Sequence, residues 1–207
     1  MNETPENVKN SDYLDPDSVQ LRAGEKFHHQ GSNGVVYFRL NVAAMADGSV
    51  YPMTTTARAC NVLPIELNQS GEVIAAYFLS QRGREEMKDG AVALKAVGSF
   101  CNVQESSHEG ALRSLQKKLG MTCSEDDLVF VGQSYGFGDQ FRFPIDLFIT
   151  KNYMLLDEVL SPGCVRIRMT LKDIARAQKE RLFFNSETID IIATVLLRNT
   201  SRDLYDW

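Results

Sequence analysis

Three side chains with polar or charged ends, Ser114, Lys117 and Lys118, are spaced three and four residues apart. On a helix, these positions share one patch of surface. Three carboxylates in such a patch would hold a magnesium ion, because magnesium takes oxygen ligands and needs its charge balanced. A hydroxyl and two ammonium groups cannot, because a protonated lysine has no lone pair to offer a metal. Two interpretations of this patch remain open. The lysines could contact a phosphate directly as point charges, or they could form an ordinary solvated helix face.

The surrounding residues predict the helix that carries this patch. Ser106 and Glu109 have the spacing of a capping box, which starts a helix. Apolar residues then recur at helical spacing: Leu112, Leu115 and Leu119. Gly120 supplies the left-handed residue that ends a helix. We therefore expect a helix from about Ser107 to Leu119.

The whole segment from Gly98 to Met121 resembles the Nudix box, the signature of a superfamily of pyrophosphate hydrolases. Five residues fall in register with the pattern: Glu105, Arg113, Leu115, Gly120 and Met121. The three metal-binding acids of the box are absent, because their places hold the serine and the two lysines described above. Six residues rather than five separate Gly98 from Glu105. The resemblance is therefore to a degenerate Nudix box.

This resemblance implies that the loop and the helix of the box still form, but without the metal site. In the family, the first Glu and the Arg brace the loop of the box against its helix, which assigns that role to Glu105 and Arg113. The structural residues of the box are then Gly98, Glu105, Arg113 and Gly120. Without the acids, nothing generates hydroxide or neutralises the leaving phosphate. We therefore expect no metal site, no catalytic residues and no cofactor, with magnesium needed only if some hydrolase activity remains.

The resemblance extends to the ADP-ribose pyrophosphatase branch of the superfamily, over most of residues 35 to 200. The matching features outside the box follow the family's order: the Asp47-Gly48 turn, the strand Asn61 to Ile65, the strand end Gln81-Arg82 and the closing segment Arg181 to Thr188. The family also places an acid shortly before the box glycine, where this chain has Leu94 or Lys95. The resemblance implies an α+β fold, a Nudix-like α/β/α sandwich with a mixed sheet and an N-terminal antiparallel β arm.

The order of the predicted elements agrees with that class, because strands lie before and after a central helix and helices come last. Residues 1–18 are polar and are expected to form a flexible tail. Residues 19–67 are expected to form the β arm, with Asp47-Gly48 as a hairpin turn, and residues 68–207 the Nudix-like domain. Two further helices are expected over Leu171 to Lys179, after Thr170, and over Glu187 to Arg198, capped by Ser186.

The amino-acid composition and net charge limit the classes of function that the chain can have. The chain has 207 residues, 43% hydrophobic content and a net charge of −5. This acidic balance argues against a general binder of nucleic acid or of anionic membranes. The polar N-terminus has no apolar segment of a signal peptide, so a cytoplasmic location is expected. Four scattered cysteines suggest neither zinc nor a disulfide framework, and reduced, buried thiols are the default: Cys60, Cys101, Cys123 and Cys164.

Three functions are compatible with these residues. The leading hypothesis is a catalytically degenerate Nudix-like pseudoenzyme that binds a nucleotide-type ligand, ADP-ribose or a relative, as a sensor, sequestering or regulatory module. Its expected ligand-binding residues are Arg82, Arg84, Lys117, Lys118, Phe137 and Arg142, with Tyr135 as the alternative stacking partner to Phe137.

The second hypothesis is a divergent pyrophosphohydrolase that has recruited other acids: Glu85, Glu86, Glu105 or Asp139. The third is a protein-interaction scaffold without a small ligand. A homodimer is expected for this chain, because the strand-forming segment Val35 to Leu67 is too small to be stable alone and would gain from a partner copy.

Overall fold

A computed structural model describes the backbone of four N-terminal strands, residues 8–10, 26–30, 36–44 and 50–54. It then describes residues 58–81, 93–102, 104–136, 143–156, 160–183 and 185–200. Seven of the residues named above as candidates for a site fall outside these ranges: Arg82, Arg84, Glu85, Glu86, Phe137, Asp139 and Arg142.

The N-terminal strands form one sheet in the order β1 (Val8–Asn10), β2 (Lys26–Gln30), β3 (Val36–Ala44) and β4 (Val50–Thr54). β2, β3 and β4 pair antiparallel, and β1 pairs parallel with β2. β3 and β4 form the hairpin expected around the Asp47-Gly48 turn, although the turn itself lies outside the described residues. β1 lies within residues 1–18, which the sequence predicted as a tail, so the prediction that this segment lacks regular structure is wrong at residues 8–10.

The remaining strands are, in chain order, β5 (Ala59–Leu67), β6 (Val73–Gln81), β7 (Leu94–Lys95), β8 (Val97–Phe100), β9 (Met121–Thr122), β10 (Leu128–Gly136), β11 (Phe143–Thr150), β12 (Met154–Leu155) and β13 (Cys164–Thr170). Over the part of the chain that is described, the larger sheet runs β10-β11-β5-β6-β13, with β7 paired to β6 and β8 paired to β5. The pair β5 and β11 is parallel and the others are antiparallel, so the sheet is mixed as expected.

The position of β5 corrects the predicted division of the chain. The sequence analysis assigned residues up to 67 to the arm, but β5 lies inside the larger sheet between β11 and β6. Its residues are almost all buried there, because a strand with neighbours on both sides and helices on both faces has no solvent-facing side. The arm therefore ends before Ala59. The rest of the domain division stays a prediction.

The helices are α1 (Ser107–Ser114), which continues as a π-helical turn over Leu115–Leu119, α2 (Leu171–Lys179) and α3 (Ser186–Thr200). The capping box of Ser106 and Glu109 starts α1, and Thr170 with Asp173 starts α2 in the same way. Gly120 ends the π-helical turn in the left-handed conformation, with φ of 60°.

One cap differs from expectation. The side-chain oxygen Oδ1 of Asn185 accepts the backbone N–H of Thr188 at 3.2 Å, so Asn185 rather than Ser186 caps α3. Both residues are good caps by type, and the sequence pattern alone does not separate two such neighbours.

Alternating residues of β5 build a core on each face of the sheet. Ala59, Leu63 and Ile65 pack in the cluster that holds the apolar residues of α2 and α3. Cys60 and Val62 pack in the second cluster, with the apolar face of α1 and its π-helical turn. The helices therefore cover opposite faces of a mixed sheet, which confirms the α+β sandwich.

Among the helices described, none is both long enough and apolar enough to cross a membrane. The cytoplasmic location stays a prediction.

Candidate functional site

The loop that precedes α1 is held by an ion pair between Glu105 and Arg113. Arg113 donates from Nε to Glu105 Oε1 at 2.6 Å and from Nη2 to Oε2 at 2.7 Å. Oε2 also accepts the backbone N–H of Asn102 at 2.8 Å. The hydrogen bond from Arg113 lowers the pKa of Glu105, so the carboxylate stays charged. The two residues thus form the brace that the resemblance to the box implies.

The same arginine ties the loop to the strand before it. Its Nη2 donates to the carbonyl oxygen of Phe100 at 3.0 Å and to Ser99 Oγ at 3.2 Å. Ser99 Oγ in turn shares a hydrogen bond of 2.7 Å with Ser114 Oγ. Ser114 is only 1% exposed. This first of the three metal-acid positions is therefore engaged inside the protein and is not part of a surface patch.

Lys118 occupies the third metal-acid position, and its ammonium group turns toward the strand. Lys118 Nζ donates to the carbonyl oxygen of Gly98 at 2.5 Å. Burial, and then the positive charge of Lys95, lower the pKa of Lys118 to about 8. The site therefore contains a partly buried ammonium group whose hydrogen-bond acceptor is an uncharged carbonyl oxygen. A nearby anion would stabilise the charged form of this group.

Lys117 behaves differently from its neighbour. Its side chain is exposed, while its carbonyl oxygen accepts from Ser161, at 3.0 Å from the backbone N–H and 2.8 Å from Oγ. The expectation that positions 114, 117 and 118 share one solvent-facing patch is therefore wrong. The physical reason is the π-helical turn, in which each residue advances through a smaller angle than in an α-helix, together with the burial of Ser114.

Gly98 is packed so closely that no other side chain fits. A Cβ atom built on it would lie 1.6 Å from Asn61 Oδ1 and 2.4 Å from the carbonyl oxygen of Cys60. Strand register explains this, because Gly98 lies directly opposite Asn61 in the antiparallel pair of β8 and β5. The glycine of the box is thus required by the strand beside it, and its carbonyl oxygen is the one that Lys118 contacts.

The strand before Gly98 brings a second lysine to the site. Leu94 and Ala96 pack in the core on the α2 and α3 face, whereas Val97 packs against α1. Lys95 alternates with Leu94, and its charge acts on Lys118. Of the two residues that could stand in place of the family's acid, Lys95 is thus the one near the box. The alternation of side chains along an extended strand was the sequence signal that could have identified it.

The start of α3 also touches this strand. Thr188 Oγ1 accepts the backbone N–H of Ala96 at 2.8 Å. The adjacent Glu187 is 8% exposed, and one of its carboxylate oxygens, Oε2, has no hydrogen-bond partner within the described residues. Neither residue was predicted to belong to a site, because an acid and a threonine are usual at the start of a helix.

The site residues divide into those that are brought together and those that are not described. Arg113 and Lys118 contact β8, and Glu105 is joined to it through Arg113. Gly120 lies away from β8, beside Leu160 and Arg166, and Tyr135 lies exposed on β10. The candidate residues of segments 82–92 and 137–142 lie outside the described residues. Across the described ranges, no group of three or more His, Cys, Asp or Glu side chains could hold a metal ion. Glu105 was one of the acids that a divergent hydrolase was expected to use. It forms an ion pair with Arg113.

Comparison with known proteins shows the fold. No protein-family model matches the chain, and neither does any curated protein. Among solved structures, one titled "Crystal structure of ADP compounds hydrolase" matches with a TM-score of 0.57 and 14% identity, over 90% of this chain and 98% of that one. A NUDIX hydrolase from Nitrosomonas europaea matches with a TM-score of 0.54 and 12% identity, over 70% of this chain and 91% of that one. The chain therefore has a Nudix-like fold.

Proposed function

We propose that the protein binds a nucleotide-type ligand, ADP-ribose or a related diphosphate, without a metal ion and without hydrolysing it. In this role it acts as a sensor, a sequestering protein or a regulatory subunit. The observation that carries the proposal is the contact between Lys118 Nζ and the carbonyl oxygen of Gly98. At a position where the box of the family carries a metal-binding acid, this chain presents a cation of its own.

The charges around this contact favour an anion. Lys95 and Arg113 both disfavour the charged form of Lys118, so three cations lie near one another at this edge of the box. A diphosphate placed beside them would relieve that repulsion and restore the pKa of Lys118 toward its ordinary value. The chain as a whole has a net charge of −5, so this grouping of cations is a local feature.

The same residues argue against hydrolysis. A Nudix-type reaction needs bound metal to activate water and to neutralise the developing charge on phosphate. Ser114 is buried in a hydrogen bond with Ser99, and Lys118 is a cation. The similar solved structures include one titled ADP compounds hydrolase, which supports the choice of ADP-ribose and related diphosphates as the first ligands to test.

We propose in addition that the protein is a homodimer located in the cytoplasm. The β1–β4 sheet supports the dimer, because four strands without a described helix against them gain stability by packing on another surface.

Calorimetric titration with ADP-ribose, in chelator and again in magnesium, tests the proposal on the full chain. We expect binding of equal strength in both buffers, weakened by salt because the attraction is between charges. Lys118→Glu should weaken binding at least about tenfold, and Lys118→Arg should retain it. Lys172→Glu is the matched control, since it makes the same charge change on the exposed face of α2, on the opposite side of the sheet.

Two results would contradict the proposal. One is binding that appears only when magnesium is present. The other is equal affinity of the Lys118→Glu and Lys172→Glu variants for ADP-ribose, because the site near Gly98 would then have no part in recognition.

A further inference from the structure

Two cysteines meet beneath the helix of the box. Cys60 lies opposite Ser99 in the antiparallel pair of β5 and β8. Cys101 follows Ser99 by two residues, so its side chain leaves the sheet on the same face as that of Ser99 and therefore of Cys60. Cys60 Sγ donates to the carbonyl oxygen of Ser99 at 3.7 Å, and each of the two thiols shifts the pKa of the other. Both are free cysteines, 0% and 2% exposed respectively.

Gly110 of α1 covers both sulfur atoms. A Cβ atom built on this glycine would lie 2.8 Å from Cys101 Sγ and 3.1 Å from Cys60 Sγ. The same point is 3.6 Å from Glu105 Oε2. The two thiols are therefore enclosed between the central strand, the helix and the brace of the box, and both sulfurs lie close to the same point above Gly110.

The two thiols are chemically unequal. The hydrogen bond from Cys60 lowers the pKa of Cys101, and the charges of Arg113 and Arg58 act in the same direction. The hydrogen bond with Cys101 and burial raise the pKa of Cys60. Of the two thiols, Cys101 therefore ionises more readily, and Cys60, whose Sγ donates to the carbonyl oxygen of Ser99, is the one that keeps its proton.

We propose that Cys60 and Cys101 are a redox site that forms a reversible disulfide when the folded protein meets a peroxide. The Cys101 thiolate attacks one oxygen of hydrogen peroxide, the O–O bond breaks, and hydroxide leaves and takes up a proton to become water. The product is a sulfenic acid on Cys101. The Cys60 sulfur then attacks the Cys101 sulfur, its proton passes to the departing hydroxyl, and a second water leaves as the S–S bond forms.

This bond would tie the central strand to the segment that leads into the box. Cys101 precedes Asn102, whose backbone N–H donates to Glu105. Cross-linking at Cys101 therefore acts directly on the loop that the Glu105–Arg113 pair braces. This proposal is independent of ligand binding. The other two cysteines, Cys123 and Cys164, are half-buried and are the internal controls.

The test uses the full native chain treated with hydrogen peroxide, alkylated after denaturation and mapped by peptide mass spectrometry. We expect a linked peptide pair joining Cys60 to Cys101, with the loss of two hydrogen atoms, unchanged circular dichroism and full reversal by dithiothreitol. The Cys123→Ser/Cys164→Ser double variant should form the same link. Cys101→Ser should leave Cys60 as a free thiol, because Cys60 stays protonated.

The proposal is overturned if Cys60 and Cys101 remain free thiols under conditions that oxidise Cys123 or Cys164. A different cysteine pairing, irreversible oxidation of Cys101 beyond the sulfenic acid, or a link that forms only with loss of the native circular dichroism would also overturn it.

Discussion

The ammonium group of Lys118 donates to the carbonyl oxygen of Gly98, and this contact joins the helix of the box to the strand that leads into it. A cation has thereby taken a place where the resemblance puts a carboxylate. Partial burial and a neighbouring lysine make the charged form costly. An anion bound beside Lys118 would stabilise the charged ammonium group and offset that cost.

The first prediction concerns that cost. The folded pKa of Lys118, about 8, lies below the ordinary value of 10.5. The unfolded chain therefore binds the Lys118 proton more tightly than the folded chain does. The resulting loss of folding stability is complete below pH 8 and disappears as the pH rises toward 10.5. Relative to Lys118→Met, the free energy of unfolding of the natural chain should gain about 2 kcal/mol between pH 7 and pH 9.5. Denaturant melts of both proteins measure this, and a difference that does not change with pH would refute it.

Hydrolysis gives the second prediction. We expect no magnesium-dependent cleavage of ADP-ribose, dinucleotides or nucleoside triphosphates at rates typical of Nudix enzymes, because the box positions hold a serine and two lysines. Product analysis with magnesium and with manganese is the measurement. Rapid turnover that a chelator abolishes, and that Lys117→Ala and Lys118→Ala leave unchanged, would show that acids elsewhere have built a metal site.

The third prediction compares two cations of the box. Arg113→Ala removes the two hydrogen bonds that Glu105 accepts from Arg113 and should lower the free energy of unfolding by about 2–4 kcal/mol. Lys117→Ala changes an exposed side chain and should stay within about 0.5 kcal/mol. The Arg113→Ala loss should shrink below pH 4.5, since the pKa of Glu105 is held below that value and the pair is lost as the carboxylate takes up its proton. Equal losses for both variants would count against the brace.

The fourth prediction separates close packing from backbone strain at two glycines. Gly98→Ala places a methyl group against Asn61 and the backbone of Cys60, so it should destabilise the fold by several kcal/mol or prevent folding. Gly71, by contrast, has a positive φ of 77°, and a Cβ there meets nothing within 4 Å. Gly71→Ala should therefore cost only about 1 kcal/mol. Thermal melts of the two variants would contradict this if their losses were the same.

The fifth prediction is the oligomeric state. The four-stranded N-terminal sheet should pack against a second copy, and light scattering at micromolar concentration should give twice the chain mass of 23.2 kDa. Deleting residues 1–57 should then yield a monomer. A full-length monomer under these conditions would mean that the sheet is stabilised within its own chain.

The sequence predicted those parts of the structure that local chemistry determines. The capping box of Ser106 and the left-handed Gly120 fixed the ends of the box helix within a residue. The Glu105–Arg113 pair followed from the resemblance, and the Asp47-Gly48 turn within the strand-forming segment Val35 to Leu67 indicated the β3–β4 hairpin. These features depend on neighbours a few residues away, which is why spacing reveals them.

The rest depends on contacts across the fold. Nothing in the order of residues indicates that Ser114 is buried against Ser99, or that a π-helical turn separates the directions of Lys117 and Lys118. The place of β5 in the larger sheet was missed because a central strand and an arm strand have similar compositions. The contact of the two cysteines was missed because residues 41 positions apart meet only through strand register.

The hydrogen bond between Ser99 and Ser114 has a consequence for the evolution of the fold. Ser114→Glu would bury a carboxylate in a space that now holds a hydroxyl, and Lys118→Glu would set a carboxylate oxygen against the carbonyl oxygen of Gly98. The Ser114→Glu change alone buries a charge in a closely packed space, which costs several kcal/mol before any metal can bind. Only several acids acquired together would give the metal enough ligands to offset that loss. The packing around Ser114 therefore disfavours an acid introduced at this position of the box by a single substitution.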